Sequence, residues 1–269
     1  MRAMIKLITS ESEFNTELLM KTLSGRKMIA YMKAYGAGYD FCRFYKITGE
    51  NDNFGEGYMF IINSTLIICG DGHLEADDEL QMFIDMNMPF RIEGDQKILS
   101  GIDMGERYQV LNRTVFELVP DKDSYTFAEE FVDFDPYLPD VYQILSEGFP
   151  NIADFSLWYT DTSHRCRHGI SRVFTYRDST TASIVFDIGN EALIGQVATR
   201  VSARGSGYAR EFLKWLALFL NNNGKKAFLL ALDVRVSFYR EIGFREVEHE
   251  FVLERIDVEK DSASKGIIN

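Results

Sequence analysis

A short glycine loop in the second half of this 269-residue chain has the residue types of a phosphate-binding site. The loop reads Arg204-Gly205-Ser206-Gly207-Tyr208-Ala209, and it lies between an apolar strand pattern at 192–199 and an amphipathic helix pattern that starts at Tyr208. Gly205 and Gly207 have no Cβ to hinder a ligand, and the first N–H groups of a helix lack intrahelical partners. The segment therefore predicts a cradle for a pyrophosphate. The alternative is an ordinary turn that uses glycine for positive φ.

The residues after this loop complete a strand, loop, helix and strand order. The helix ends at Asn221-Asn222-Asn223-Gly224, and the buried strand pattern Ala227–Leu232 follows. A dinucleotide-binding fingerprint would also begin with the two glycines of the loop, but its third glycine would fall on Arg210. This spacing disfavours a dinucleotide-binding enzyme.

In two motifs the sequence resembles the GNAT superfamily of N-acetyltransferases, over residues 137–256. The acetyl-CoA loop of that family has Gln or Arg, two residues, Gly, one residue, then Gly or Ala. Downstream the family has a Phe-Tyr pair three residues ahead of a Gly-Phe pair. The matching residues are Arg204, Gly207 and Ala209 in the loop, and Phe238, Tyr239, Gly243 and Phe244 downstream.

The resemblance implies acetyl-CoA as the acyl donor and no metal. The strand before the loop would splay from its neighbour, and its backbone would meet the acetyl carbonyl and the pantetheine arm at Val197 and Thr199. The chain has Asp233 where the family often has Asn and Val201 where it often has Pro, so contacts from Asp233 stay open. The implied cofactor-binding residues are Val197, Thr199, Arg204, Gly205, Ser206, Gly207, Tyr208 and Ala209.

Acetyl transfer to an amine requires two proton movements. An amine with a pKa near ~10.4 is mostly protonated at neutral pH, and a departing thiolate with a pKa of about 8.5 needs a proton. A strand N–H such as that of Val197 would stabilise the oxyanion, and the resemblance makes Tyr239 the acid. The alternative for Tyr239 is a helix tyrosine that packs beside Phe238.

The stretch from Trp158 to His168 contains the densest cluster of reactive side chains, and the family uses this region for the acceptor. The candidate bases are Asp161, His164 and His168. The candidate acceptor-binding residues are Trp158, His164, Arg165 and Arg167. The alternative is structural, with Trp158 in the core and the arginines paired with carboxylates of this acidic chain.

The first half repeats this order of predicted elements. It contains predicted helices at 11–21 and 77–86 and predicted strands at 41–47, 58–62, 66–69, 90–92 and 115–119. The second half contains them near 139–147 and at 170–176, 183–188 and 192–199. We predict an α/β (α+β) fold of two tandem GNAT-like domains, each a mixed, mostly antiparallel sheet flanked by helices. The domain at 1–120 would be degenerate and the domain at 125–269 catalytic, joined through an acidic segment between Pro120 and Pro139.

The degenerate character of the first domain is predicted from its own loop. Gly70-Asp71-Gly72-His73-Leu74-Glu75 follows the corresponding strand, but it has no Arg or Gln. Its carboxylates would repel a phosphate.

The amino-acid composition disfavours two classes of binding partner. The chain has 29 Lys and Arg against 41 Asp and Glu, a net charge of -12, which disfavours nucleic acid and anionic membranes. Cys42, Cys69 and Cys166 lack disulfide or zinc spacing, which predicts a reducing cytoplasm, and no apolar segment suits a signal peptide or a membrane span.

The sequence therefore predicts an acetyl-CoA-dependent N-acetyltransferase that acts on a primary amine of a small molecule or peptide. The alternative is a non-catalytic acetyl-CoA sensor or assembly module. The identity of the amine and the oligomeric state stay open.

Overall fold

The computed structural model describes residues 3–49, 55–120, 127–149 and 152–256. The chain forms two compact units. The first contains residues 1–28, 35–112 and 250–269, and the second contains residues 29–34 and 113–249. Residues 121–126, in the acidic segment predicted to join the two domains, lie outside the described ranges.

The first unit contains an antiparallel meander followed by one parallel strand pair. Its strands are β1 (Ala3–Leu7), β2 (Cys42–Gly49), β3 (Glu56–Ile62), β4 (Thr65–Gly70) and β5 (Arg91–Gly94), and the chain leaves the unit within β6 (Tyr108–Glu117) and returns within β12 (Arg245–Arg255). β1 to β5 lie in chain order and β12 pairs with β5; among these described pairings, β4 and β5 are parallel and the others antiparallel. The helices are α1 (Thr16–Leu19), α2 (Leu23–Tyr35, shared with the second unit), α3 (Asp78–Asn87) and α4 (Gln96–Ser100).

The second unit has the same arrangement. Its other strands are β7 (Val132–Asp133), β8 (Arg172–Tyr176), β9 (Thr180–Ile188), β10 (Glu191–Thr199) and β11 (Lys226–Leu232). The strand order is β6-β11-β10-β9-β8-β7, and in this part of the structure β10 and β11 pair in parallel while the other described neighbours are antiparallel. The helices are α5 (Leu138–Gly148), α6 (Phe155–Arg167), α7 (Tyr208–Asn222) and α8 (Asp233–Ile242).

The two units repeat one connection. In the first, β4 leads through α3 to its parallel neighbour β5, and in the second, β10 leads through α7 to β11. A parallel pair needs such a crossover, because a short hairpin can join only antiparallel strands. The mixed, mostly antiparallel sheet predicted for each half is confirmed.

Each unit has its own apolar core. In the first unit, Ile68 of β4, Ile84 of α3 and Ile92 of β5 pack together. In the second, α7 places Phe212, Leu216 and Leu220 against the sheet, at the helical spacing of four residues that puts side chains on one face. These cores fix the position of each crossover helix, and therefore of the loop that precedes it.

Some helices differ from the sequence prediction. The helix expected at 11–21 is a 3-10 turn at Glu11–Glu13, capped by Ser10, followed by the short α1. α2 was not predicted, because buried apolar residues occupy successive positions in it and hide any single-face periodicity. Across the ranges that the structure describes, no helix is long and apolar enough to cross a membrane.

Candidate functional site

The candidate site begins where the parallel strands β10 and β11 separate. Their ladder pairs Glu191 with Lys226 and ends with Ile194 opposite Leu229. Both strands continue beyond this point, and the other edge of β11 stays paired with β6 as far as Leu232. The strands therefore open a wedge toward their carboxyl ends, as the resemblance implied.

A bulge in β10 lies directly beyond the last pair. Gly195 is opposite Ser183 on β9 and Ala198 is opposite Thr181, so Gln196 and Val197 together face one residue of β9. Gln196 has a φ of 52°, which is uncommon for a residue with a side chain. The peptide groups of Gln196 and Val197 thus lie outside the regular register of both ladders, which is how a bulge re-aims backbone donors.

The glycine loop has the backbone form of an open anion cradle. Gly205 and Gly207 have φ values of 83° and 82°. A Cβ built on Gly205 would meet nothing within 4 Å, which shows that there is open space beside the backbone of this residue. Gly207 is the N-cap of α7 and provides no side-chain cap, so the first N–H groups of the helix remain available for an anion.

Arg204 and Thr199 have mutual contacts that keep the loop in place. The Arg204 guanidinium donates from Nε to the Thr199 carbonyl oxygen at 3.3 Å and from Nη2 to the Glu147 carbonyl oxygen at 2.7 Å. The hydroxyl of Thr199 lies 3.0 Å from that of Thr180. Arg204 therefore contacts the chain through backbone carbonyls, and its positive charge has no carboxylate partner within the described residues.

Tyr239 lies on α8 beside the open wedge. Its ring packs 5.4 Å from that of Phe116, which is paired with Leu229, the last β11 residue in the β10 ladder. Burial raises the pKa of the Tyr239 phenol, and the charge of Arg235 offsets part of that rise. No hydrogen bond joins its hydroxyl to any other described residue. The group is therefore a protonated phenol with an uncommitted O–H.

Two buried polar atoms face inward from α6. Trp158 is 5% exposed and packs with Ala198 of β10, and Thr162, one helical turn further, is 1% exposed. Neither the Trp158 Nε1 nor the Thr162 hydroxyl has a hydrogen-bond partner among the described residues. Buried polar groups are normally hydrogen-bonded, so an unpaired donor beside β10 is a place for a ligand or water oxygen.

Asp161 and Arg165 form an ion pair on α6. Arg165 donates from Nε at 3.0 Å and from Nη2 at 2.7 Å to the same carboxylate oxygen of Asp161. Nη1 of Arg165 donates to the Val185 carbonyl oxygen at 3.1 Å, and the guanidinium lies 5.5 Å from the centre of the Tyr31 ring. Arg165 is thus enclosed by these contacts, as the structural alternative proposed.

The histidines lie toward the end of α6. His164 Nε2 is 2.8 Å from the Ala34 carbonyl oxygen, and His168 Nδ1 is 2.8 Å from the His164 carbonyl oxygen. Arg167 is exposed and donates to the Ser163 carbonyl oxygen at 3.2 Å. Ten residues of helix rise separate His168 from Trp158, about 15 Å. The structure therefore places Trp158 beside β10 and leaves His168 well away from it.

Gln196 and Thr162 are site residues that the sequence did not single out. Gln196 is the one polar side chain in an apolar stretch of β10, and this pattern could have drawn attention to it. The positive φ of Gln196, however, depends on how β10 registers with β9. Thr162 lies four residues from Trp158, so the helical period would have placed both on one face if α6 had been predicted. No cluster of three or more His, Cys, Asp or Glu side chains suited to a metal occurs in the described part of the chain.

The corresponding loop of the first unit provides its own anion. The Asp71 carboxylate accepts hydrogen bonds from the N–H groups of Glu56, His73 and Leu74 at 2.9, 2.9 and 3.3 Å. Burial acts to raise the pKa of Asp71, but the three N–H donors outweigh it and hold that pKa below its usual value. Asp77 caps α3 by accepting from the Leu80 N–H at 3.0 Å.

The parallel strands of the first unit stay close together where the second unit has its wedge. A Cβ on Gly94 would lie 1.9 Å from the Ile68 carbonyl oxygen, and the Asp95 N–H donates to that same oxygen at 2.9 Å. Pairing therefore continues past the last regular ladder pair, Ile68 and Gly94. In the first unit, Asp71 therefore occupies the N–H groups of His73 and Leu74, and the strand pair stays closed at the point where β10 and β11 separate.

Three solved structures with a similar fold are distant from this chain in sequence. A tandem GNAT protein from the clavulanic acid biosynthesis pathway aligns over 94% of this chain and 98% of its own, with 8% identity and a TM-score of 0.57. A GCN5-related N-acetyltransferase from Sphaerobacter thermophilus covers 94% and 95%, with 13% identity and a TM-score of 0.54. An acetyltransferase from the GNAT family of Colwellia psychrerythraea covers 94% and 100%, also with 13% identity and a TM-score of 0.54. No protein-family model and no curated protein matches the chain.

These likenesses show the fold. The chain has the tandem GNAT fold, with a mixed, mostly antiparallel sheet and flanking helices in each unit. The fold class predicted from the sequence is confirmed.

Proposed function

We propose that the second unit is an acetyl-CoA-dependent N-acetyltransferase that transfers the acetyl group to a primary amine by direct attack in a ternary complex. The observation that carries this proposal is the succession of three features along β10 and the loop that follows it. The wedge opens after Ile194, the bulge follows at Gln196 and Val197, and the open cradle begins at Gly205. The order matches what an extended thioester with a pyrophosphate at its far end requires.

The proposed roles belong to backbone N–H groups at the bulge, in the glycine loop and at the start of α7. The N–H groups of the loop and of the first turn of α7 bind the pyrophosphate, with the Arg204 charge nearby. The peptide N–H groups at the bulge, at Gln196 and Val197, stabilise negative charge on the thioester oxygen as the amine attacks. Acetyl-CoA supplies the activated acyl carbon and a thiolate leaving group.

Tyr239 completes the transfer by donating a proton. Its O–H has no hydrogen-bond partner among the described residues, and its raised pKa keeps the proton on the phenol at neutral pH. The departing sulfur takes that proton, and the acetylated amine loses one to a base or to water. Among the candidate bases, Asp161 is already paired with Arg165 and His168 lies well away from β10, so water is the proposed acceptor of that proton.

The acceptor side is proposed to lie along the inner face of α6. Trp158 and Thr162 offer an N–H and an O–H with no protein partner in the described ranges, so they suit an acceptor that carries a hydrogen-bond-accepting group near its amine. The acidic surface of the chain favours cationic acceptors in diffusional encounter.

Calorimetric titration of acetyl-CoA into the full chain tests the donor assignment. A CoA-release assay over polyamines, amino acids, aminoglycosides and peptides with a free N-terminus then tests the reaction. We expect saturable binding and acceptor-dependent release of CoA. Binding without release for every acceptor class would favour an acetyl-CoA sensor, and no binding would contradict the proposed function.

A further inference from the structure

The last turn of α5 contacts the segment that joins β10 to the glycine loop. The Glu147 carboxylate accepts a hydrogen bond from the Val201 N–H at 2.6 Å through Oε2 and from Arg200 Nη1 at 3.2 Å through Oε1. The Glu147 carbonyl oxygen accepts from Arg204 Nη2 at 2.7 Å. These three bonds, called the Glu147 contacts, link one residue of α5 to both ends of the segment 200–204.

The carboxylate caps a 3-10 turn that has no cap of its own. That turn spans Val201–Ala203, and its N-cap residue, Arg200, provides no side-chain cap. A first-turn N–H without an acceptor is a cost that a carboxylate from elsewhere in the fold can remove. The turn continues through bonds from the Arg204 N–H to the Val201 carbonyl oxygen and from the Ser206 N–H to the Ala203 carbonyl oxygen, at 3.3 and 3.4 Å. The capped turn therefore leads directly into the glycines.

The negative charge of the Glu147 carboxylate is neutralised by neighbouring arginines. A free carboxylate beside an anion cradle would weaken phosphate binding, but Arg200 pairs with this one, and Arg204 adds a second positive charge at its carbonyl oxygen. Arg200 is fixed in turn by its Nε, which donates to the Asp178 carbonyl oxygen at 3.2 Å.

α5 itself is firmly placed against β10. A Cβ on Gly148 would lie 2.9 Å from the Cβ of Ala198, so the end of the helix touches the strand immediately after the bulge. Val141, Ile144 and Leu145 of the same helix are buried with Ala198 and Trp158. The end of α5 thus has a fixed position from which Glu147 can hold the loop.

We propose that Glu147 is a positioning residue for the acyl donor, which holds segment 200–204 so that the N–H groups at Gly205 to Ala209 keep their anion-binding arrangement. This inference rests on the proposed acetyl-CoA site. It assigns to a carboxylate outside the glycine motif the task of preorganising that motif, which reduces the ordering cost of binding.

Three variants test the inference in the full chain. Glu147→Ala removes both carboxylate bonds, Glu147→Gln keeps one oxygen acceptor for the Val201 N–H, and Asp85→Ala removes a comparable exposed ion pair, with Arg107, in the first unit. Hydrogen exchange of the Val201–Ser206 amides is measured without ligand, and CoA affinity is measured by calorimetry.

For Glu147→Ala we expect exchange of these amides to rise about tenfold and CoA to bind about tenfold more weakly. KM for acetyl-CoA should rise by a similar factor, while kcat at saturation stays within about threefold. Glu147→Gln should recover most of the affinity, and Asp85→Ala should match the wild type in both measurements.

Each arm can overturn a different claim. Wild-type exchange at Val201–Ser206 in Glu147→Ala would overturn the Glu147 contacts, whether or not CoA binds. Faster exchange with wild-type CoA affinity would overturn the positioning role alone. Failure of the wild type to bind CoA would overturn the proposed function and with it the donor role of Glu147.

Discussion

The rings of Tyr239 and Phe116 pack with their centroids 5.4 Å apart, and Phe116 is paired across β6 and β11 with Leu229. Leu229 is also the last residue of β11 paired with β10. The Tyr239 phenol is therefore tied to the residue at which the wedge opens.

Tyr239→Phe keeps the ring and removes the proton. We expect kcat to fall at least ~100-fold, the lower end of what general acid catalysis contributes, with the CoA dissociation constant unchanged within a few-fold. Because burial raises the pKa of this phenol above its ordinary value near ~10, the ratio of wild-type to variant rates should be constant from about pH 6 to pH 9.

Tyr108→Phe provides the matched control for that change. The Tyr108 hydroxyl donates to the Pro89 carbonyl oxygen at 2.8 Å in the first unit, so its loss should lower the free energy of unfolding by about 1 kcal/mol and leave kcat unchanged. A Tyr239→Phe enzyme with normal turnover would make Tyr239 a packing residue only.

A comparison of Gly207→Val with Gly224→Val distinguishes a loss of stability caused by backbone strain from a loss of CoA binding caused by a side chain in the cradle. Both glycines have positive φ, 82° and 71°, and they flank the two ends of α7. Each variant should lose about 1–2 kcal/mol of folding free energy from left-handed strain, seen by urea denaturation. Only Gly207→Val should lose CoA binding in calorimetry. Equal CoA affinity in the two variants would contradict the cradle assignment.

Thr162→Val should stabilise the protein while impairing acceptor use. It removes a buried hydroxyl with no partner in the described ranges, so we expect the free energy of unfolding to rise by up to about 1 kcal/mol. If that hydroxyl binds the acceptor, kcat/KM for the acceptor should fall about tenfold with KM for acetyl-CoA unchanged.

Thr181→Val is the control, because its hydroxyl donates to the Phe174 carbonyl oxygen at 2.9 Å and its loss should destabilise the fold by about 1 kcal/mol. Destabilisation of both variants alike would show that the Thr162 hydroxyl has a partner in solution.

Asp71→Asn tests the internal anion of the first unit through pH. The folded-state pKa of Asp71 is lowered, so its stabilisation is present above the unfolded pKa of about 3.9 and is lost as pH falls through the folded pKa. The carboxylate is exposed and screened, so we expect a difference of about 1 kcal/mol between wild type and variant at pH 7. Urea denaturation at pH 7, 5 and 3 should show this difference becoming smaller at the lowest pH. A difference that does not change with pH would rule out the ionised carboxylate as the source.

The sequence predicted the parts of the fold that have local causes. The strands ending at Ile62 and Thr199 and the helix from Tyr208 follow from alternation, turn residues and a clear apolar face. α6 was missed because Thr160, Asp161 and Thr162 weaken its helical pattern, although the spacing of Asp161 and Arg165 is that of an ion pair on a helix.

The candidate site was predictable only in part. Gly205, Gly207 and Tyr239 stand in motifs, and motifs are local. The bulge at Gln196 depends on how β10 registers with β9, and the end of the ladder at Leu229 depends on the neighbouring β6. The role of Glu147 depends on the docking of α5 on β10, 54 residues away from Val201 along the chain.

The carboxylate of Asp71 has a consequence for how this tandem chain can change. Giving the first unit a cofactor site would require loss of Asp71 and of the Asp77 cap, together with separation of β4 from β5 at Gly94. Each single step would remove hydrogen bonds or disrupt close strand packing without yielding a complete cradle. A descendant with a cofactor site in each unit is therefore separated from this sequence by less stable intermediates. Substitutions elsewhere in the loop that keep the Asp71 carboxylate do not lose its hydrogen bonds. Selection for stability alone is enough to keep the two halves unequal.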